Sequence, residues 1–229
     1  MNIKLTALFL VNALAVFAQS GKETITREIP WDGSEALTLD VPAEVRFVQT
    51  PGPGKVVVTG PRRSVETFEV AGGVLRDRTL RTGRQLRIIV QAPKVTRFSV
   101  KGGDKLVIEA FDQDELKIEA TGRADIKATG RTETIRLNLR GFGWADLSQV
   151  QAKGAEITLS GSRKAIIAPE LWAKLSGNGS VVLLTRPEKV TQELWGAGRV
   201  IHAYPTIAVS PLSAHRASMV DPLVSLRAE

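Results

Sequence analysis

Two histidines, His202 and His215, are the side chains of this 229-residue chain best suited to proton transfer near neutral pH. Ser210 and Ser213 lie near His215, but a nucleophilic serine also needs an orienting acid and an oxyanion site, and no motif supplies them. Carboxylates concentrate at Glu109, Asp112, Asp114 and Glu115. Such a loop could feed a calcium site or an acid/base pair, although it lacks the spacing of a calcium loop. The densest charge feature is basic. Arg76, Arg78, Arg81, Arg84 and Arg87 recur within twelve residues, with Arg62-Arg63, Arg97 and Lys101 nearby. Guanidinium groups suit planar, bidentate recognition of carboxylate or sulfate, so the run is a candidate anion grip; a hairpin with a solvated charged face is the competing and favoured reading, since like-charge runs usually face solvent. Of the four tryptophans, Trp144 lies within a glycine turn, while Trp172 and Trp195 fall at outward positions. Exposed indole invites a sugar ring or a protein partner.

No phosphate-cradling glycine loop, zinc spacing or dinucleotide fingerprint is present, because the glycines recur with a period instead of opening helices. No catalytic residue, cofactor or metal is therefore expected. The candidate ligand-binding residues are Arg76, Arg78, Arg81, Arg84, Arg87, Trp172 and Trp195.

The elements that must position these groups read as strands. Short β-type runs occur at 36–39, 45–48, 55–59, 67–70 and 86–90, separated by turn signals such as Pro51-Gly52-Pro53-Gly54 and Gly72-Gly73. From residue 96 the chain repeats. Glycine turns begin at Gly102, Gly122, Gly141, Gly161, Gly177 and Gly196, spaced by 20, 19, 20, 16 and 19 residues. Aligned on those glycines, one column holds Val100, Ala120, Leu139, Leu159, Leu175 and Leu194. A second column, two residues earlier, holds Phe98, Ile118, Leu137, Ile157, Ala173 and Gln192. Polar residues fall between the columns, so each unit carries a half-buried strand. Stacking would place Arg136 beside Glu156 and Lys174 beside Glu193. The pattern predicts an all-β fold: a right-handed parallel β-helix or solenoid of about six short rungs with an N-terminal β-strand cap. An antiparallel sandwich is the alternative.

The first residues read as a secretory leader. Lys4 precedes an apolar run from Leu5 to Phe17, which is too short to span a bilayer and is followed by a small residue, Ala18. This divides the chain into a signal peptide at 1–18, a single domain at 19–202 with its repeat region at 96–202, and a C-terminal tail or cap at 203–229. No other stretch could span a membrane. The chain has 31 basic and 24 acidic side chains; without Lys4, 30 minus 24 leaves +6. Export makes nucleic acid an ill-suited partner, whereas anionic polysaccharide would meet this surface with salt-dependent attraction. Cysteine is absent, so packing and strand ladders must supply stability without disulfides.

Ser160-Gly161-Ser162 and Ser176-Gly177-Asn178-Gly179-Ser180 resemble the glycine-punctuated repeat of the auto-transporter adhesin head family, or GIN domain. Residues 41–49 and 56–60 resemble that family's opening strands, and the likeness covers roughly 23–202. Ala124 and Arg163 depart from it where a second glycine is expected, and Trp195 replaces the usual serine. The resemblance implies a β-helical fold in an exported bacterial protein, periplasmic or at the cell surface. The functional expectation is an exported, non-catalytic adhesin-like or envelope interaction module that binds an anionic glycan or a protein partner. A β-helix carbohydrate-active enzyme and a structural periplasmic scaffold are the competing readings.

Overall fold

The structure, a computed structural model, describes residues 24–78 and 86–203. Residues 1–18, read as a leader, and 204–229, most of the expected tail, lie outside the described residues. The strands are β1 (Thr24–Pro30), β2 (Ala36–Asp40), β3 (Ala43–Gln49), β4 (Lys55–Pro61), β5 (Phe68–Ala71), β6 (Val74–Asp77), β7 (Leu86–Ala92), β8 (Arg97–Lys101), β9 (Asp104–Asp112), β10 (Glu115–Gly177), β11 (Ser180–Leu183), β12 (Lys189–Leu194) and β13 (Arg199–His202). One short helix, α1 (Arg62–Glu66), interrupts them and buries Val65. Among the described residues no helix is long and apolar enough to cross a membrane.

All thirteen strands belong to one sheet, whose main path runs β1-β4-β7-β3-β9-β10-β8-β2-β6-β5. It is a nearly closed barrel of mixed pairing. This corrects the expected right-handed parallel β-helix with an N-terminal cap. Pairing is antiparallel for β1 with β4, β4 with β7, and β5 with β6. The N-terminal strands are built into the wall and do not sit on its end: β3 lies between β7 and β9, and β2 between β8 and β6. The physical reason is visible at β5 and β6, joined through Gly72 and Gly73 at φ +56° and +73°. A two-residue turn can connect only antiparallel neighbours, whereas a parallel pair needs a long crossover.

Local register follows the repeat where its period holds. Ile118 lies opposite Phe98 and Ala120 opposite Val100, as the glycine alignment expects. The last unit slips by two residues: Ala173 faces Val190 and Leu175 faces Gln192. The preceding pass is short, with Lys164 opposite Ser180, so alignment on Gly177 and Gly196 overshoots. The charges move with it. Arg136 does sit between Glu115 at 3.0 Å and Glu156 at 3.9 Å, but Lys174 turns to Glu156 at 3.4 Å while facing Thr191 in register.

β10 is extended over 63 residues and bends back at its glycines. Gly141, at φ +104°, lies so close to the Gly122 carbonyl that a Cβ there would meet it at 2.5 Å, and Gly161 packs on the Gly141 carbonyl in the same way. Alternation then fills the interior with Leu106, Ile108, Ile126, Leu137, Ile157 and their neighbours. Phe98 ties the core together, edge-on to Phe47 at 5.1 Å and to Phe111 at 6.4 Å between ring centroids.

Candidate ligand-binding face

Period-two alternation along β10 buries Ala124, Ile126 and Ala128 and therefore turns Arg123, Asp125 and Lys127 outward on one strand. The next pass carries Phe142 and Trp144 on either side of Gly143, and both rings face solvent, 63% and 42% exposed. Gly143, at φ +109°, lies against the Ala124 carbonyl, which brings this aromatic turn onto the charged triplet. Arg123, Asp125, Phe142, Trp144 and Ser162 line a recess of about 550 Å³. Two further recesses, about 450 and 460 Å³, share lining residues with it. The first is lined by Glu44, Asp104, Lys105, Arg123 and Asp125, the second by Arg46, Lys105, Asp125, Lys127 and Trp144.

The charges on this face divide into two sets. Lys105 donates to Glu44 at 2.9 Å and Arg46 pairs with Glu109 at 3.7 Å. The Lys105 ammonium holds the Glu44 carboxyl below its usual range. Arg123, Asp125 and Lys127 have no ion pair or side-chain hydrogen bond among the described residues. A carboxylate accepts from hydroxyls, cations take carboxylate or sulfate, and an exposed ring offers a stacking surface; together these groups can hold a charged saccharide.

Two buried polar side chains support the face from inside. Asp104, 4% exposed, accepts from the Ala43 amide at 3.2 Å through Oδ1, while Oδ2 has no partner. Burial, with the nearby Asp40 adding to it and the Ala43 hydrogen bond opposing it, pushes its carboxyl up to about 6. Arg163, 2% exposed, donates from Nη1 to the Ala124 carbonyl at 3.1 Å. Its Nη2 donates to the carbonyls of Gly122 at 2.7 Å and Arg140 at 2.8 Å. Burial lowers its affinity for the proton, and Asp125 partly offsets this. Its guanidinium fits because Gly143 lacks a Cβ, which would lie 3.0 Å from Nη1.

The residues singled out from sequence do not form one patch. Arg76 pairs with Asp40 at 3.3 Å and Arg78 with Glu69 at 2.9 Å. Arg87 stands on β7 opposite Glu44 and Thr59, with β3, β9, β10, β8 and β2 lying between that strand and β6. Arg81 and Arg84 lie outside the described residues. Trp172 is half-buried with its ring over Gly154, while Trp195 is 58% exposed beside the final turn. The acidic loop is dispersed over separate cations: Glu109 to Arg46, Asp112 to Arg131 at 3.2 Å, and Glu115 to Arg136. Among the described residues no three His, Asp or Glu side chains converge on a metal position. His215, Ser210 and Ser213 lie outside the described residues. Phe142 and the triplet Arg123, Asp125, Lys127 escaped the sequence reading. Their signal was phase: each is polar or aromatic at an outward position facing a neighbouring pass.

A family model described as "Putative auto-transporter adhesin, head GIN domain" matches residues 35–187, which is 153 of the 229 residues. Among solved structures, one described as a "putative adhesin" from Bacteroides fragilis NCTC 9343 is similar at TM-score 0.64 and 18% identity, covering 81% of this chain and 99% of that one. Another so described, from Parabacteroides merdae ATCC 43184, is similar at TM-score 0.51 and 16% identity, covering 80% and 96%. At those identities the likeness is one of fold. No curated protein matches the chain.

Proposed function

The chain belongs to the auto-transporter adhesin head GIN domain family, and on that premise we propose that it is a non-catalytic, adhesin-like interaction module that holds a polysaccharide on its Phe142–Trp144 face. The observation that carries this reading is the pair of solvent-facing rings set against three charged side chains that form no ion pair or side-chain hydrogen bond among the described residues. An exposed aromatic pair on a rigid strand costs solubility and adds no core packing, so its placement favours a ligand. The adhesin description of the family supports an exported or surface setting, in keeping with the leader expected at 1–18.

The test is affinity electrophoresis of the purified protein through gels containing neutral or acidic polysaccharides. Wild type is expected to be retarded by at least one polymer, and Trp144→Ala and Phe142→Ala to lose that retardation while melting at the wild-type temperature. Retardation unchanged in both variants would move the site elsewhere, to the arginine run or to Trp195. Free migration through every gel would favour a protein partner.

A further inference from the structure

Resting on that reading, we infer that this face selects an acidic saccharide, its carboxylate or sulfate groups held by Arg123 and Lys127 on either side of a ring stacked against Trp144. Three observations lead there. Arg123 and Lys127 are four residues apart on one strand, so their Cα atoms stand about 13 Å apart along it. Asp125 lies between them, half-exposed and facing Trp144 across the shared recess. A sugar ring over the indole therefore has a cation towards each end and a carboxylate at its middle, positioned to accept from ring hydroxyls.

The second observation is selective neutralisation. Lys105 and Arg46, on adjoining strands of the same face, are each paired with a carboxylate, while Arg123 and Lys127 are not. Unpaired cations beside an aromatic ring supply attraction that a neutral sugar does not use, and Asp125, between them on the strand, forms no bridge to either.

The third is preorganisation. Arg163 binds the carbonyls of Gly122 and Ala124, the two residues flanking Arg123, and the carbonyl of Arg140, just before the aromatic turn. One buried guanidinium thus ties the backbone that carries the cation to the backbone that carries the rings. Arg163 touches no ligand; it is a positioning residue, and the fixed backbone removes part of the ordering cost of binding.

The experiment compares hexasaccharides of galacturonate and of mannuronate with their carboxyl-reduced counterparts, in which each carboxylate becomes a primary alcohol on the same backbone. Calorimetric titration of the full chain reads the affinities at two salt concentrations. At about fivefold per exposed ion pair, two pairs should make an acidic hexamer bind about 25-fold tighter than its reduced form, and salt should narrow the gap. The double variant Arg123→Gln, Lys127→Gln should bind both forms alike, at the level of the reduced chain. Trp144→Ala should weaken both forms by the same factor. Equal wild-type affinity for acidic and reduced chains, still lost in Trp144→Ala, would overturn the acidic selection and leave the glycan platform standing. Binding of none of the four hexamers would overturn the acidic selection, and free migration through every polysaccharide gel besides would overturn the platform as well.

Discussion

Asp104→Asn tests how the polar support beneath the face is constructed. In the folded chain the Asp104 carboxyl is raised to about 6, against an ordinary 3.8, chiefly by burial. Below 3.8 the group is protonated whether the chain is folded or not, and its environment carries no ionisation cost. As pH climbs towards 6, the unfolded chain releases its proton while the folded chain retains it, so folding loses stability throughout that window. Above 6 the deficit is constant. A shift of roughly two pKa units corresponds to about 3 kcal/mol, of which about 2 kcal/mol accumulates between pH 4 and pH 7.5. Asparagine preserves the acceptor for the Ala43 amide and cannot ionise. The variant should therefore gain about 2 kcal/mol relative to wild type between those two pH values, whatever its stability at pH 4. Urea unfolding at both pH values, followed by the emission of the buried Trp31, measures the difference directly. A stability difference that stays flat across the interval, or one that moves in favour of wild type, refutes the claim that Asp104 is desolvated beyond what the Ala43 amide offsets.

Arg163→Met should cost about 3 kcal/mol at neutral pH, because it removes three charge-assisted hydrogen bonds donated by a buried guanidinium to the carbonyls of Gly122, Ala124 and Arg140; chemical denaturation reads the loss. Gly177→Ala, at φ +109° and with a Cβ directed into the Leu159 carbonyl, should lower the denaturation midpoint by more than about 3 kcal/mol equivalent or prevent soluble expression. Gly154→Ala has ordinary backbone geometry but overlaps the Trp172 ring, so it should displace that side chain and shift tryptophan emission to longer wavelength with a smaller stability change.

Much of this protein is determined locally and can be read along the chain. Alternation with period two depends only on the pleat, so the strands at 36–39, 45–48, 55–59 and 86–90 and the inward columns at 98 and 100 were accessible without a structure. Glycine turns are equally local, since only glycine adopts the required backbone cheaply. Arg163 shows where local reading fails. It stands where the repeat expects a second glycine, yet its phase with Ala165 and Ile167 places it inside, where it fastens three passes of the chain together. The arginine run was conspicuous by density, but Arg76 is committed to Asp40, 36 residues away, and Arg78 to Glu69 across the β5–β6 hairpin.

Strand content, turn positions and family likeness follow from near-neighbour chemistry, which the sequence holds in full. Sheet closure does not. Whether residues 24–92 cap a parallel stack or enter its wall depends on which strand edges meet, and that pairing is decided by hydrogen bonds between segments far apart in the chain. The binding face is of the same kind. Arg123, Asp125 and Lys127 are ordinary outward residues until the fold of β10 lays Phe142 and Trp144 beside them and leaves them without an ion pair.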